Sequence, residues 1–200
     1  MPSGSRYIRP PVPGHAYLEP LKYSPLDLKR NEVRLLVLFP DFGDSSSAVQ
    51  CALFHASLIH DRYCYLAIKN TRGYPRLTTT IIINCQVKIV TKNIEVFLRN
   101  FRSSHQPLIL WIREICINRD DLEERQLQQV SRMYAIYDNA DAVIIWLGEA
   151  DEDSDTAMDF VVEFSKNETY ETEPFPQPFR SLAALLRLLS RPYFKRMWVV

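Results

Sequence analysis

Residues 110–149 read LWIREICINRDDLEERQLQQVSRMYAIYDNADAVIIWLGE, and this stretch decides the fold. An apolar run through Trp111 meets a polar turn, then a strongly helical segment, then a second apolar run closed by Trp146-Leu147-Gly148. Leu108–Ile112 shows no polar alternation, as expected of a strand buried on both faces of a parallel sheet. Asp120 and Glu123 form a D-x-x-E variant of the capping box where a helix should begin. Leu127, Val130, Tyr134 and Tyr137 stripe one face of that helix, with Met133 alongside. Asp138-Asn139 ends it, and Ala142–Leu147 is the second buried strand. A strand, a helix and a strand so connected close right-handed.

On the N-terminal side, Thr78–Ile83 and Val87–Val90 are β-branched runs around Asn84-Cys85-Gln86 and predict a hairpin. Ile94, Phe97, Leu98 and Phe101 fall at i, i+3, i+4 and i+7, which marks an amphipathic helix capped by Thr91 or Asn93. Val33–Phe39 is a continuous apolar run of strand length, and Tyr63–Ile68 is an aromatic-rich strand candidate. Cys51–Leu58 is a short apolar segment of ambiguous type. Asp41-Phe42-Gly43-Asp44 and the serines after it are a loop. Residues 1–30 carry six prolines and little periodicity, so they read as an extended arm whose Tyr17, Leu18, Leu21, Tyr23 and Leu26 lie on the domain surface.

C-terminal to Gly148, Asp151-Glu152-Asp153 and Ser154 precede a helix with Ala157, Phe160, Val161 and Phe164 on one face. Pro174, Pro176 and Pro178 mark a loop. Phe179, Leu182, Leu185, Leu186 and Leu189 then build a last helix stopped by Pro192. Met197-Trp198-Val199-Val200 reads as the start of another strand.

Two hundred residues suit one domain, and 46% hydrophobic with 12% aromatic residues is a globular composition. Lys plus Arg equals Asp plus Glu, 24 each, so bulk charge points to neither nucleic acid nor membrane. No apolar run approaches a membrane span, and the N-terminus lacks the apolar core of a secretory signal. Four scattered cysteines fit a reduced interior, so the expectation is a soluble cytoplasmic domain. With five glycines there is no phosphate-cradling fingerprint. Cys51, His55, His60 and Cys64 superficially space like a zinc site, but they are embedded in apolar sequence, and no metal is expected there. Cys116 lacks a histidine placed by sequence to activate it, and reads as packing.

The signature closely resembles the fungal heterokaryon-incompatibility (HET) domain, whose pattern runs roughly W-I-D-A-x-C-I-N-Q-x-D, E-R-x-x-Q-V, M-x-x-I-Y, A and V-x-W-L-G. Trp111, Ile112, Cys116, Ile117, Asn118, Asp120, Glu124, Arg125, Gln129, Val130, Met133, Ile136, Tyr137, Ala140, Trp146, Leu147 and Gly148 stand where that family has them. Tyr23-Ser24-Pro25-Leu26 with Val33-Arg34-Leu35-Leu36, and Cys51 with a short helix before Tyr63, resemble its opening. The departures are chemical. In the family's Y-x-A-L-S-Y-x-W-G, Ala67 replaces the serine, Ile68 the tyrosine and Asn70-Thr71 the Trp-Gly. Arg113 stands for the aspartate of W-I-D, and Arg119 for the glutamine of I-N-Q.

The resemblance implies an α/β domain over 31–200, a mostly parallel central sheet flanked by helices, distantly similar to Toll/interleukin-1-receptor domains. It also implies a chain cut short at the C-terminus, because the family continues beyond W-V-V. Its function would be fungal self/non-self recognition and incompatibility-triggered cell death. Two mechanisms compete. One is an NAD glycohydrolase, in which Glu124 serves the oxocarbenium-like centre as a glycosidase carboxylate does. Asn118, Arg125 and Arg113 would be its ligand-binding residues, gathered at the carboxyl ends of the strands. The other is a non-catalytic or degenerate interaction module, acting by self-association or on another incompatibility protein. The lost opening motif and Arg113 favour the second. In that reading Glu124 answers the dipole of its helix, Glu123 caps, and Asn118 bonds the turn backbone.

Overall fold

The computed structural model describes residues 18–71, 76–127, 131–166 and 178–195, without the side chains of 125–127, 131 and 178. Seven strands form one sheet: β1 (Glu32–Leu38), β2 (Gln50–Ser57), β3 (Leu66–Asn70), β4 (Thr78–Ile83), β5 (Gln86–Thr91), β6 (Leu108–Ile112) and β7 (Ala142–Trp146). Their spatial order is β5-β4-β2-β1-β6-β3-β7. The helices are α1 (Lys92–Phe101), α2 (Arg113–Cys116), α3 (Leu122–Leu127), α4 (Ser131–Asp138), α5 (Ser154–Lys166) and α6 (Pro178–Leu189).

The sheet is mixed, not mostly parallel. β3 runs parallel to β6 and β7, and β2 to β4, whereas β1 is antiparallel to β2 and β6, and β4 to β5. One cause is the segment after Val49. It is not a short helix but β2, which folds back on β1 along its whole length. A short apolar run cannot by itself distinguish strand from buried helix.

The hairpin holds. Ile83 pairs with Gln86 across Asn84 and Cys85, both at positive φ (51° and 59°), as a two-residue type I′ turn demands. Strand β3 starts at Leu66 rather than Tyr63, and the Tyr65 hydroxyl donates to the Ile136 carbonyl. The signature forms its two strands with α2, α3 and α4 between them in sequence, and β3 lies between β6 and β7. Strand β7 is an edge: Ile144 and Trp146 pack on the core, but Val143 and Ile145 are exposed.

Helices cover both faces. Trp111 meets Tyr137 of α4 edge-on, ring centroids 5.5 Å apart, and Trp146 meets Phe97 of α1 at the same separation. Trp111 and Trp146 lie on alternate rows of the registered strands β6, β3 and β7, hence on opposite faces. Ile94, Phe97 and Leu98 of α1 are buried and Phe101 half-buried, as its periodicity predicts. Thr91 occupies the cap position without a side-chain bond. Asn93 instead donates from Nδ2 to the Thr71 carbonyl (2.7 Å) and accepts from Trp146 Nε1 (3.0 Å), tying α1 to the ends of β3 and β7.

Helices α5 and α6 pack on each other through Ala157, Ala184 and Leu188, with Leu147 against them. Much of the apolar surface of these helices is exposed: Val161, Phe164, Phe179, Leu182, Leu186 and Leu189 face outward. Small residues permit the closer helix approach, so Ala157 and Ala184 form the contact. The stretches 1–17 and 196–200, with the strand expected at Met197, lie outside the described residues. So do Val130 and the side chain of Leu127 in the expected α4 stripe, and Pro174 and Pro176.

Glu95 is the buried carboxylate of α1, 4% exposed. Burial alone would raise its pKa, but hydrogen bonds from Lys92 Nζ and Arg99 Nε, each 2.7 Å, and their charges outweigh it and hold the group below its ordinary 4.5. A depressed folded-state value contributes stability that is present above pH 4.5 and lost as pH falls through the lower folded value. Urea unfolding of the wild type and Glu95→Gln should therefore differ most near neutral pH, the gap closing only below about pH 4.5.

Candidate functional site

A guanidinium in the middle of an apolar strand requires acceptors, and Arg34, 2% exposed on β1, finds them on three segments. Its Nη1 donates to Glu124 Oε1 (2.6 Å) and its Nη2 to Oε2 (3.1 Å), a two-pronged pair. The same nitrogens donate to the carbonyls of Cys116 (3.3 Å) and Ser24 (2.6 Å). Tyr23 lays its ring over the guanidinium, 4.9 Å to the centroid, and its hydroxyl donates to the Ile115 carbonyl at 2.7 Å. Lys88 Nζ stands 5.0 Å from the same ring. Of the three guanidinium nitrogens of Arg34, Nε alone lacks a hydrogen-bond partner.

Glu124 reaches this place because the capping box sits one residue later than expected. Asp121, not Asp120, accepts the helix-start bond, from the Glu124 N–H at 3.0 Å. Glu124 is then the third residue of α3, but its carboxylate does not return to the cap. Oε1 instead takes the Asn118 N–H at 2.8 Å beside the Arg34 bond. Sequence DDLEE offers two registers, and the buried arginine selects one.

The remaining candidates scatter. Asn118 turns its side-chain oxygen to the Asp120 N–H (3.2 Å), the turn-backbone role. Arg113 is exposed on α2, and Glu123 is exposed on α3. Glu114 is paired with Arg119 at 3.8 Å, with its second oxygen buried and unpartnered. The side chain of Arg125 lies outside the described residues. Asn118 and Glu124 therefore meet, but through the backbone of one and inside the protein.

A surface cleft of about 470 Å³ lies elsewhere, between the end of β2 and the starts of β3 and β7. Asp61, Arg62, Tyr63, Cys64, Asp138 and Asp141 are among its lining residues, and neither Glu124 nor Arg113 is.

The zinc-like spacing comes apart in space. Cys51 is in the core, where burial pushes its thiol far up, while Cys64 is exposed. Among the described residues no three His, Cys, Asp or Glu side chains are grouped to hold a metal ion. Burial also pushes the Cys116 thiol up to about 12, so it is no nucleophile at neutral pH. No helix among the described residues is long and apolar enough to cross a membrane.

Sequence reasoning missed Arg34 and Tyr23 as members of this cluster. The signal was present: an arginine in E-V-R-L-L-V-L is either on an edge or matched by a buried acid.

The model of the family described as "Heterokaryon incompatibility protein (HET)" matches residues 63–200. A relative from Neurospora crassa, "Heterokaryon incompatibility protein 6, OR allele", is 43% identical over 79 residues, which is 37% of this chain and 12% of that protein. The chain thus matches about an eighth of that relative's length. No solved structure matches. With the family model covering well over half its length, the chain belongs to the heterokaryon incompatibility family.

Proposed function

We propose that this chain serves fungal self/non-self recognition as a contact module, promoting incompatibility-type cell death in the cytoplasm through protein partners rather than by cleaving NAD. The observation that carries this reading is the state of Glu124. A carboxylate that serves an oxocarbenium centre must reach the sugar. Glu124 is 5% exposed, and both its oxygens accept bonds from Arg34, one also from the Asn118 N–H. Its role is to clasp β1, the turn after α2 and the start of α3 together. Ala67 and Ile68, where the family has Ser-Tyr, are buried inside the sheet, and Arg113 adds a positive charge where the family has an acid.

The partners fit the outward apolar side chains of α5 and α6, with Phe179 87% exposed, since large exposed apolar side chains favour protein contacts. A second copy or another incompatibility protein is the expected occupant. Purified protein at high concentration should consume no NAD above a buffer blank, and Glu124→Gln should behave identically. Turnover by the wild type that disappears in Glu124→Gln would restore the glycohydrolase.

A further inference from the structure

His55, part of no metal-binding group among the described residues, meets Ser24 at the edge of the clasp. Ser24, whose carbonyl binds Arg34, places its Oγ 2.9 Å from Nε2 of His55. Nδ1 of the same ring lies 3.2 Å from Glu32 Oε2. We propose that Ser24, His55 and Glu32 form a nucleophile–base–acid relay capable of acyl transfer with short-chain carboxylic esters.

The relay is recognised by roles and geometry, as such constellations are on any fold. Glu32 beside Nδ1 holds the ring proton there, which leaves Nε2 as the acceptor facing the serine hydroxyl. That is the tautomer a general base needs. The acid is itself fixed: Glu32 Oε2 accepts the Asp27 N–H at 2.9 Å, and Arg30 Nη1 lies 3.8 Å from Oε1. The base is on β2, where His55 is registered opposite Arg34 of β1. The serine is held by Arg34 at 2.6 Å and by Pro25 after it, which favours extended backbone at Ser24. Three chain segments thus bring the three groups into contact, the serine and the carboxylate on the two ring nitrogens. Ser24 is exposed and His55 half-buried, so a small ester has access from solvent.

The step balances without a cofactor. Ser24 Oγ bonds to the ester carbonyl carbon while its proton passes to His55 Nε2, and Glu32 stabilises the imidazolium. The tetrahedral oxyanion collapses, the C–O bond to the alcohol breaks, and His55 returns the proton to the departing alkoxide. Water, deprotonated by His55, then attacks the acyl-serine. The Oγ–carbonyl bond breaks, the acid leaves, and the serine regains its proton. A fluorophosphonate reports the first half: an Oγ–P bond forms and fluoride departs.

The proposal stands independently of the contact-module reading, because it uses neither Glu124 nor NAD. The test is fluorophosphonate labelling of the native chain, with the modified residue located by peptide mass spectrometry. Expected are an adduct on Ser24 and no adduct there in Ser24→Ala. His55→Gln should slow labelling by about 100-fold or more, the lower range for a positioned base. Turnover of a p-nitrophenyl ester should be lost in the same two variants, with their melting temperatures serving as the folding control. Unmodified Ser24 in the native wild type, or equal labelling rates in folded His55→Gln, would overturn the relay.

Discussion

Glu124→Ala is expected to lower unfolding free energy by about 3–5 kcal/mol, because it strands a buried guanidinium without its counter-charge. Arg34 would keep the Ser24 and Cys116 carbonyls but lose both carboxylate bonds, and the Asn118 N–H would lose its acceptor. The loss is a large part of the ~5–15 kcal/mol that holds a domain folded. Urea unfolding followed by tryptophan fluorescence measures it. The informative companion is Arg34→Met with Glu124→Met. A buried ion pair replaced by apolar residues of similar size is often neutral or better, so the double variant should recover most of the loss. If it is as unstable as Glu124→Ala, the stranded charge is not the cause.

The second large effect belongs to Trp111. Its side chain is fully buried on β6, between β1 and β3, with Tyr137 edge-on above it. Trp111→Ala removes the biggest side chain of the core and leaves a cavity that sheet neighbours on both sides prevent from closing. The expected cost is about 3–5 kcal/mol, or on the order of 10 °C in Tm for a chain this long. Trp111→Phe retains a ring for Tyr137 and should cost markedly less. Equal melting temperatures for Trp111→Ala and wild type would show that the site collapses freely.

Why some of this was legible in the sequence and some not follows from the range of the interactions involved. Strand β6, the β4–β5 hairpin and helix α1 announce themselves locally, through apolar runs, a turn that tolerates positive φ, and a period of 3.6. Strand β2 was ambiguous because its neighbours, not its composition, make it a strand. Part of the mixed direction follows from that segment, the rest from the β4–β5 hairpin and from β1 running against β6. At the site, the turn-backbone role of Asn118 was legible, whereas Glu124 was marked as special but not for its ion pair. The partner that defines Glu124 is 90 residues earlier in the chain, and no local pattern ties an arginine on one strand to a helix start so far away. The Ser24–His55–Glu32 alignment was invisible for the same reason: His55 drew notice only through a spacing with Cys51, His60 and Cys64 that space does not honour. The outward face of α6 was not legible either, because periodicity gives a stripe but not which element covers it.

The long span between Arg34 and Glu124 also sets the order in which a ribosome can finish this protein. Arg34 and its strand leave the exit tunnel 90 residues ahead of the carboxylate that completes them. Until then the β1–β2 ribbon carries a cation that favours keeping that end of the ribbon wet. The half of the sheet made first therefore has to wait, and the family signature is also the moment in synthesis when that half can dry out and close.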